Sequence, residues 1–170
     1  MKLLILSDSH GNMQNINSAV RMEKTFDVMA FCGDSQGSLD EYEFNANYMP
    51  KEEQYSFYAV CGNCDYACDY PAEVDFECEG YKIYMTHGHM PHLRVKYSYD
   101  GIIKEALRRK SDIVFFGHTH IPVVIQDKRT GILLINPGSL TYPRGQISSG
   151  SYAVLDIEMG KEPKAIIKYL

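Results

Sequence analysis

The feature that most constrains the fold of this chain is a short apolar segment followed at once by a small polar cluster, a pattern that occurs six times. The apolar segments are rich in Ile, Val, Phe, Leu and Tyr, and they cover Lys2–Ser7, Val28–Cys32, Tyr55–Cys61, Tyr81–Thr86, Asp112–Phe116 and Ile132–Ile135. Short apolar runs with almost no polar interruption are typical of strands that are buried on both faces. The sequence therefore predicts sheets that are covered on both sides.

Three segments between these strands have the features of helices: Asn12–Lys24, Ser38–Tyr48 and Tyr99–Lys110. Ser38 with Glu41 forms a capping-box pattern at the start of the second segment. The last third of the chain reads mostly as a β-meander, with strands at Pro122–Asp127, Gly131–Ile135, Ser151–Ile157 and Lys164–Tyr169. This order predicts an α/β fold of two packed mixed β-sheets flanked by helices.

Length and composition restrict the class of protein. The 170 residues fit one domain that spans residues 1–170. The 17 Lys and Arg against 22 Asp and Glu give a net charge of −5, which argues against general nucleic-acid binding and against an anionic membrane surface. No segment approaches the roughly 18 apolar residues of a membrane span. The odd number of cysteines, five, and the lack of a signal-peptide pattern predict a reducing, cytoplasmic location, with Cys32 and Cys61 as buried free thiols.

The polar clusters supply side chains that bind metals. Ligands of α/β sheets bind beyond the carboxyl ends of the strands, and the clusters at those ends contain Asp8, His10, Asp34, Asn63, His87, His118 and His120. Imidazole combined with carboxylate suits Mn, Fe, Ni, Co or Zn at a catalytic site. Seven ligands are too many for one such ion and suit two ions that share a bridging carboxylate. Paired metals roughly 3.5–4 Å apart are an established device for phosphoryl transfer.

The order of these motifs resembles a known family. Asp8-x-His10, Gly33-Asp34, Gly62-Asn63, His87-Gly88 and Gly117-His118-Thr119-His120 are similar to the five signature blocks of the calcineurin-like metallophosphoesterases. Asn136-Pro137-Gly138-Ser139 resembles a further block of the small prokaryotic phosphodiesterases, the YfcE-like subgroup. The resemblance implies a four-layer α-β-β-α sandwich and a cytoplasmic phosphodiesterase that acts on a small phosphodiester or other phosphate-containing substrate.

The resemblance also implies a role for each ligand. Asp8, His10 and His120 would hold one metal, and Asn63, His87 and His118 would hold the other. Asp34 would bridge the two. The cofactors would be two divalent ions, Mn²⁺ above all, with Ni²⁺, Co²⁺, Fe²⁺ or Zn²⁺ as alternatives. A metal-bound hydroxide would attack the phosphorus atom.

One departure concerns the residue after the ligand Asn63, which is His in most of the family and Cys64 here. A thiol is a weak hydrogen-bond donor, so a general-acid role is weakened, although a thiolate ligand is an alternative. We predict Cys64 and Asp65 as catalytic residues and His89 and Arg144 as substrate-binding residues. Many relatives also have an acidic or amide residue where this chain has Gly37.

Alternatives remain open at this point. The fold resembles the retromer scaffold subunit, so a catalytically weak or inactive protein-interaction scaffold is the second hypothesis, and a nuclease is the third. The spacing Cys61-x2-Cys64-x3-Cys68 is also compatible with a sulfur metal site. The leaving group would be chosen by the loops Asp65–Tyr70 and Met90–Tyr99. Exposed aromatics raise the possibility of a homo-oligomer.

Overall fold

The computed structural model describes residues 1–37, 39–51, 53–90, 92–93, 95–96 and 98–170. Over that part of the chain it contains three helices, α1 (Met13–Glu23), α2 (Asp40–Tyr48) and α3 (Asp100–Arg109). It also contains ten strands: β1 (Lys2–Leu6), β2 (Val28–Phe31), β3 (Ser56–Ala59), β4 (Glu73–Cys78), β5 (Tyr81–Thr86), β6 (Ile113–Phe116), β7 (Val123–Gln126), β8 (Leu133–Asn136), β9 (Ser151–Asp156) and β10 (Lys164–Tyr169). Among the described residues, no helix is both long enough and apolar enough to cross a membrane.

The strands form two five-stranded mixed sheets. The first sheet has the order β10-β9-β1-β2-β3, and the second has the order β4-β5-β6-β8-β7. Each sheet contains three adjacent parallel strands, β1, β2 and β3 in the first and β5, β6 and β8 in the second. The remaining strands pair antiparallel: β9 and β10 extend the first sheet beyond β1, whereas β4 and β7 form the two edges of the second. These parallel strands are the six that carry the polar clusters of the sequence.

Strand β1 shows why these runs are apolar throughout. Leu3 and Ile5 belong to the core between the two sheets, whereas Leu4 and Leu6 belong to the core between the first sheet and helices α1 and α2. Alternate side chains of a strand point to opposite faces, so a strand between two apolar layers needs apolar residues at every position. Helix α3 covers the outer face of the second sheet in a third core. The four-layer α-β-β-α arrangement is confirmed.

The helix prediction holds, with small shifts at the ends. Asn12 caps α1, and its side-chain oxygen accepts a hydrogen bond from the backbone N–H of Asn15 at 3.2 Å. Helix α2 begins at Asp40, with Leu39 at the N-cap position and no side-chain capping bond there. Ser38, the predicted cap, lies outside the described residues.

Two strand predictions are corrected. Strand β4 was not predicted, although Val74, Phe76 and Cys78 alternate with acidic residues and a Glu79-Gly80 turn follows. An edge strand with one exposed face gives this weaker alternating signal. The C-terminal strands do not form one meander: β7 pairs with β8 in the second sheet, and β9 pairs with β10 in the first.

The prediction that Cys61 is a free buried thiol is wrong, because Cys61 forms a disulfide with Cys68. The two sulfur atoms close the loop that carries Asn63, Cys64 and Asp65. Cys32, Cys64 and Cys78 are free, and Cys32 is fully buried as predicted. With both sulfurs in a covalent bond, the alternative of a metal site built from Cys61, Cys64 and Cys68 does not describe this structure.

Candidate metal centre

The predicted ligands lie where the parallel strands of both sheets end. Asp8 and His10 follow β1, Asp34 follows β2 and Asn63 follows β3 in the first sheet, while His87 follows β5 and His118 and His120 follow β6 in the second. Backbone hydrogen bonds join neighbouring turns, from the Asp8 N–H to the Gly33 carbonyl and from the His10 N–H to the Asp34 carbonyl, both at 3.0 Å. The turns that follow β1 and β2 are therefore directly connected to each other.

Four side chains form a compact group that we call the first cluster: Asp8, His10, Asp34 and His120. Each offers one ligand atom, and these atoms all lie within 4.8 Å of one another. His120 Nε2 lies 3.0 Å from Asp8 Oδ1, and His10 Nε2 lies 3.5 Å from His120 Nε2. Asp8 is fully buried, yet its Oδ1 atom has no hydrogen bond of acceptable geometry to any described residue. A buried carboxylate oxygen in this situation is costly without a cation.

We call the three remaining predicted ligands, Asn63, His87 and His118, the second cluster. His87 is fully buried, and its Nε2 atom lies 3.4 Å from Asp34 Oδ2 while lacking a hydrogen bond to any described residue. The His118 ring lies 5.1 Å from the His87 ring, measured between centroids. Asn63 is exposed, and its amide nitrogen donates a hydrogen bond to the Cys64 sulfur at 3.2 Å. Asp34 therefore connects the two clusters through its carboxylate.

The imidazoles of His87 and His120 are oriented by backbone carbonyls. His87 Nδ1 lies 2.7 Å from the Cys32 carbonyl oxygen, and His120 Nδ1 lies 2.7 Å from the Tyr142 carbonyl oxygen. A proton on each Nδ1 leaves each Nε2 lone pair directed into the site. Metal-binding histidines are held in this way, with the other ring nitrogen donating to a carbonyl or carboxylate.

The electrostatics of the site favour the neutral form of two imidazoles, those of His10 and His118. Burial lowers the pKa of His10, and burial together with the neighbouring His87 lowers the pKa of His118 to about 4. Burial also lowers the pKa of His87, but attraction to the nearby carboxylates of Asp34 and Asp8 outweighs it and raises that pKa. Burial opposes ionisation of Asp34, yet the nearby His87 imidazole holds the pKa of this carboxyl well below its usual range. Ionised carboxylates and neutral imidazoles are the forms that bind metal ions.

Five of the predicted ligands have a left-handed backbone, which is uncommon for residues other than glycine. The φ angles are 55° at Asp8, 46° at His10, 56° at Asp34, 68° at His118 and 60° at His120. Such angles cost on the order of 1–3 kcal/mol each, and they cluster at functional sites where surrounding contacts impose them. The sequence carries no direct signal for this strain.

Two glycines make the close approach of these turns possible. A Cβ atom at Gly62 would lie 2.1 Å from Asp34 Oδ1, and a Cβ atom at Gly117 would lie 2.0 Å from the Ser7 hydroxyl oxygen. Both contacts are far below van der Waals distance. The glycines of the Gly62-Asn63 and Gly117-His118 motifs are therefore needed for the space that they leave to ligands on neighbouring turns.

Several supporting residues were missed by the sequence analysis. The Ser7 hydroxyl donates to Asp8 Oδ2 at 2.5 Å, and the Ser139 hydroxyl donates to the Asp8 carbonyl at 2.9 Å. Asn136 Nδ2 donates to the Gly117 carbonyl at 2.9 Å and to the Thr119 hydroxyl at 3.0 Å. The sequence indicates the Asn136–Ser139 motif but no role for it. In the structure, its hydrogen bonds attach it to the Asp8 turn and to the Gly117–Thr119 turn that carries His118. Ser7 had no signal beyond its position next to Asp8.

The residues predicted for catalysis and substrate binding lie around the two clusters. The Cys64 backbone N–H donates to Asp34 Oδ1 at 2.7 Å. Burial, with the nearby Asp34 carboxylate, raises the pKa of Cys64 to about 11. The His89 ring lies 5.4 Å from the His87 ring, and its Nδ1 atom is buried without a hydrogen bond to the described residues. Arg144 is exposed, and its backbone N–H donates to the His120 carbonyl at 3.1 Å.

The donor set fits divalent metal ions. The first cluster combines two carboxylates with two imidazoles, and the second adds two imidazoles and an amide. The unpartnered buried atoms Asp8 Oδ1 and His87 Nε2 both belong to this set. Buried polar atoms in native proteins are nearly always satisfied, so such atoms need an explanation. Bound cations would provide it.

The comparison with known proteins gives the same family as the strand-end motifs. The model of the calcineurin-like phosphoesterase superfamily domain matches residues 1–160. The chain is 36% identical over 159 residues to the probable metallophosphoesterase YsnB of Bacillus subtilis, covering 93% of this chain and 85% of that protein. It is 26% identical over 173 residues to the phosphodiesterase YfcE of Escherichia coli K12, covering 92% of this chain and 88% of YfcE.

A solved structure has a similar fold. The crystal structure of a conserved uncharacterised protein from Streptococcus pneumoniae, described as a predicted phosphoesterase, has a TM-score of 0.75 and 25% sequence identity. The alignment covers 98% of this chain and 97% of that one. The family match spans nearly the whole chain, and it includes every strand-end motif between Asp8 and His120. The chain therefore belongs to the calcineurin-like phosphoesterase superfamily, the family that its motifs predicted.

Proposed function

We propose that this protein is a dimetal-dependent phosphodiesterase that hydrolyses small phosphodiesters. The observation that carries the proposal is the position of Asp34, whose Oδ2 lies 3.4 Å from His87 Nε2 and 4.0 Å from His10 Nε2. A single carboxylate oxygen thus faces imidazoles of both clusters. This is the position that a bridging ligand of two ions requires. The name of YfcE, a phosphodiesterase, supports the substrate class.

The chain would hold one ion with Asp8, His10 and His120 and the other with Asn63, His87 and His118, with Asp34 shared. When bound, two such ions supply a hydroxide nucleophile from water at neutral pH and neutralise charge on the phosphate oxygens. We expect Mn²⁺ in this role, with Ni²⁺, Co²⁺, Fe²⁺ or Zn²⁺ as substitutes. Affinity alone does not select among these metals at an imidazole and carboxylate site.

We assign phosphate binding to His89 and Arg144. His89 lies beside the second cluster, 6.3 Å from the His118 ring between centroids, and Arg144 is anchored through its backbone to His120 of the first cluster. The two residues are thus attached to different clusters. Arg144 is suited to this task because its guanidinium stays charged and can donate two parallel hydrogen bonds to oxygens.

We assign Cys64 to the leaving-group side of the site. Its sulfur accepts a hydrogen bond from the Asn63 amide nitrogen, which leaves the Asn63 oxygen available as a ligand. A neutral thiol is a weak donor to a departing oxygen. We therefore expect good activity only on diesters with good leaving groups. Beside this loop lies a cavity of about 250 Å³, lined by Ser35, Asp65, Tyr66 and Tyr70 among others, which offers space for the leaving group.

The cytoplasm remains our predicted location and a homo-oligomer remains a possible assembly. The Cys61–Cys68 disulfide provides a way to test the cellular compartment. Disulfides in the cytoplasm of mesophiles are usually transient, whereas they persist in oxidising compartments. Quantifying free thiols in protein taken directly from cells distinguishes the two: five free thiols fit the cytoplasm, and three fit an oxidising compartment.

The proposal is tested by hydrolysis of a bis-nitrophenyl phosphodiester and a nitrophenyl monoester, with the metal-stripped protein reloaded with Mn²⁺. We expect diester turnover that exceeds monoester turnover and that a chelator abolishes. Absence of turnover with each of Mn²⁺, Ni²⁺, Co²⁺ and Zn²⁺ would contradict the proposal. Binding of two ions without turnover on any diester would favour the alternative of an inactive interaction scaffold.

A further inference from the structure

The side chain of Asp65 binds the backbone of two separate turns at the metal centre. Its Oδ2 accepts hydrogen bonds from the N–H groups of Asp34 and Gly62, both at 2.8 Å. Its Oδ1 accepts from the Gln36 N–H at 2.6 Å and from the Ser35 hydroxyl at 3.2 Å. One carboxylate thus receives four donors from residues on two strand-end turns.

The backbone around these donors is strained in a way that suits an anion. Asp34 and Gln36 have φ angles of 56° and 54°, and Gly33 has a φ of 91°. Consecutive N–H groups in such conformations converge on a concave site that binds negative charge. The Asp65 carboxylate occupies that concavity. It compensates for conformations that cost on the order of 1–3 kcal/mol each and that persist only when neighbouring contacts impose them.

The same contacts fix the distance between the two turns. The Cys64 N–H donates back to Asp34 Oδ1 at 2.7 Å, and a Cβ atom at Gly62 would lie only 2.1 Å from that oxygen. Asp65 therefore holds the Asp34 backbone while its neighbour Cys64 orients the Asp34 carboxylate. With four donors on its two oxygens, Asp65 is engaged by the protein and not directed at the clusters.

We propose that Asp65 is a positioning residue, which places the Asp34 carboxylate between the first and second clusters so that two ions bind as a pair. This refines the sequence prediction that Asp65 is catalytic, and it rests on the proposed dimetal function. Asp65→Asn is the sharpest change, because it keeps the shape but turns one acceptor oxygen into an NH₂ group that faces N–H donors.

The experiment is a Mn²⁺ titration of the metal-stripped full chain, followed by electron paramagnetic resonance. In the wild type we expect an exchange-coupled signal from two ions. In Asp65→Asn we expect the Mn²⁺ concentration needed for that signal to rise about 10- to 100-fold, the usual effect of losing an outer partner of a metal ligand. Asp156→Asn is the matched control, since Asp156 is an exposed carboxylate that pairs with Lys2 at the opposite end of β1, and it should titrate like the wild type.

The outcomes separate this inference from the proposed function. A coupled signal in wild type and Asp65→Asn at the same Mn²⁺ concentration would overturn the positioning role, whether or not the enzyme hydrolyses diesters. A coupled signal in the wild type without turnover would contradict the proposed function alone. If Asp65→Asn does not fold, Asp65→Ser is the second variant, because water can replace the lost acceptor. It should show the same direction of change, and a wild-type titration in that variant would overturn the role.

Discussion

The first cluster and the second cluster are held in different ways by the same fold. The first cluster consists of side chains on turns that follow buried strands directly, and its four ligand atoms lie within 4.8 Å of one another. In the second cluster, His87 is equally buried, but Asn63 lies on an exposed turn and is oriented by the Cys64 sulfur. We infer from this comparison that the strands would build the first metal position of the proposed site, whereas the 62–65 turn would complete the second.

The largest effect is expected where the two clusters meet. Asp34→Asn removes the charge of the carboxylate that we propose as the bridge and gives an NH₂ group to one of its two oxygen positions. We expect diester hydrolysis to fall by more than about 100-fold, beyond what loss of an outer partner alone costs. Initial rates at saturating Mn²⁺ measure this. Asp156→Asn is the matched control, because Asp156 is exposed and pairs with Lys2 at the opposite end of β1. Wild-type activity in Asp34→Asn would refute the site assignment.

The next prediction compares Mn²⁺ binding at the two clusters. Asn63→Ala removes a ligand of the second cluster alone, so we expect about one tightly bound Mn²⁺ per chain and a second that binds on the order of 100-fold more weakly. His120→Ala removes a ligand from the compact first cluster and should weaken the tighter ion instead. Equilibrium dialysis with metal analysis gives both values. Equal losses in the two variants would show that the clusters do not differ.

A smaller effect is expected from the partner of Asp8. Ser7→Ala removes the 2.5 Å hydrogen bond to Asp8 Oδ2 but leaves every ligand in place. We expect the affinity for the tighter Mn²⁺ to fall by about 10-fold, the lower end of the range for such partners. Isothermal titration calorimetry measures the change. Ser18→Ala, in an exposed turn of α1, is the control. An unchanged affinity in Ser7→Ala would mean that the His118 backbone N–H, which also donates to Asp8 Oδ2 at 3.2 Å, is enough to orient Asp8.

The smallest effect is expected at Cys64. Cys64→Ser keeps an acceptor for the Asn63 amide, so the change is that of a modified neutral hydrogen bond, worth under about 1 kcal/mol. We expect kcat for the diester to change by less than about 5-fold, since 1.4 kcal/mol corresponds to a factor of ten. A loss of 100-fold or more would show that the thiol takes a direct part in the reaction.

The sequence predicts the layers and the strand ends well because both follow from local patterns. A strand between two cores must be apolar at every position, and the functional turn must begin where that run stops, as in Lys2–Leu6 before Asp8 and Ile113–Phe116 before His118. Strand β4 was missed because an edge strand has only alternate apolar residues. The types and order of the side chains likewise predict the metal ligands, and those ligands stay a prediction.

The finer features of the site depend on contacts between turns that are far apart in the sequence. Asp65 meets the backbone of Asp34 across 31 positions, and Ser139 meets Asp8 across 131. Which ring nitrogen of His87 carries the proton depends on its hydrogen bond to the Cys32 carbonyl, 55 positions away. The Cys61–Cys68 disulfide likewise needs the two residues to be brought together by the loop. The residues next to these positions in the sequence give no sign of the contacts. The contacts therefore cannot be predicted from patterns along the chain.

Anomalous scattering from crystals grown with Mn²⁺ tests the central claim most directly. Our account predicts two peaks roughly 3.5–4 Å apart. One should lie against Asp8, His10 and His120, the other against Asn63, His87 and His118, and the Asp34 carboxylate should contact both. A single peak, or two peaks of which only one touches Asp34, would contradict it.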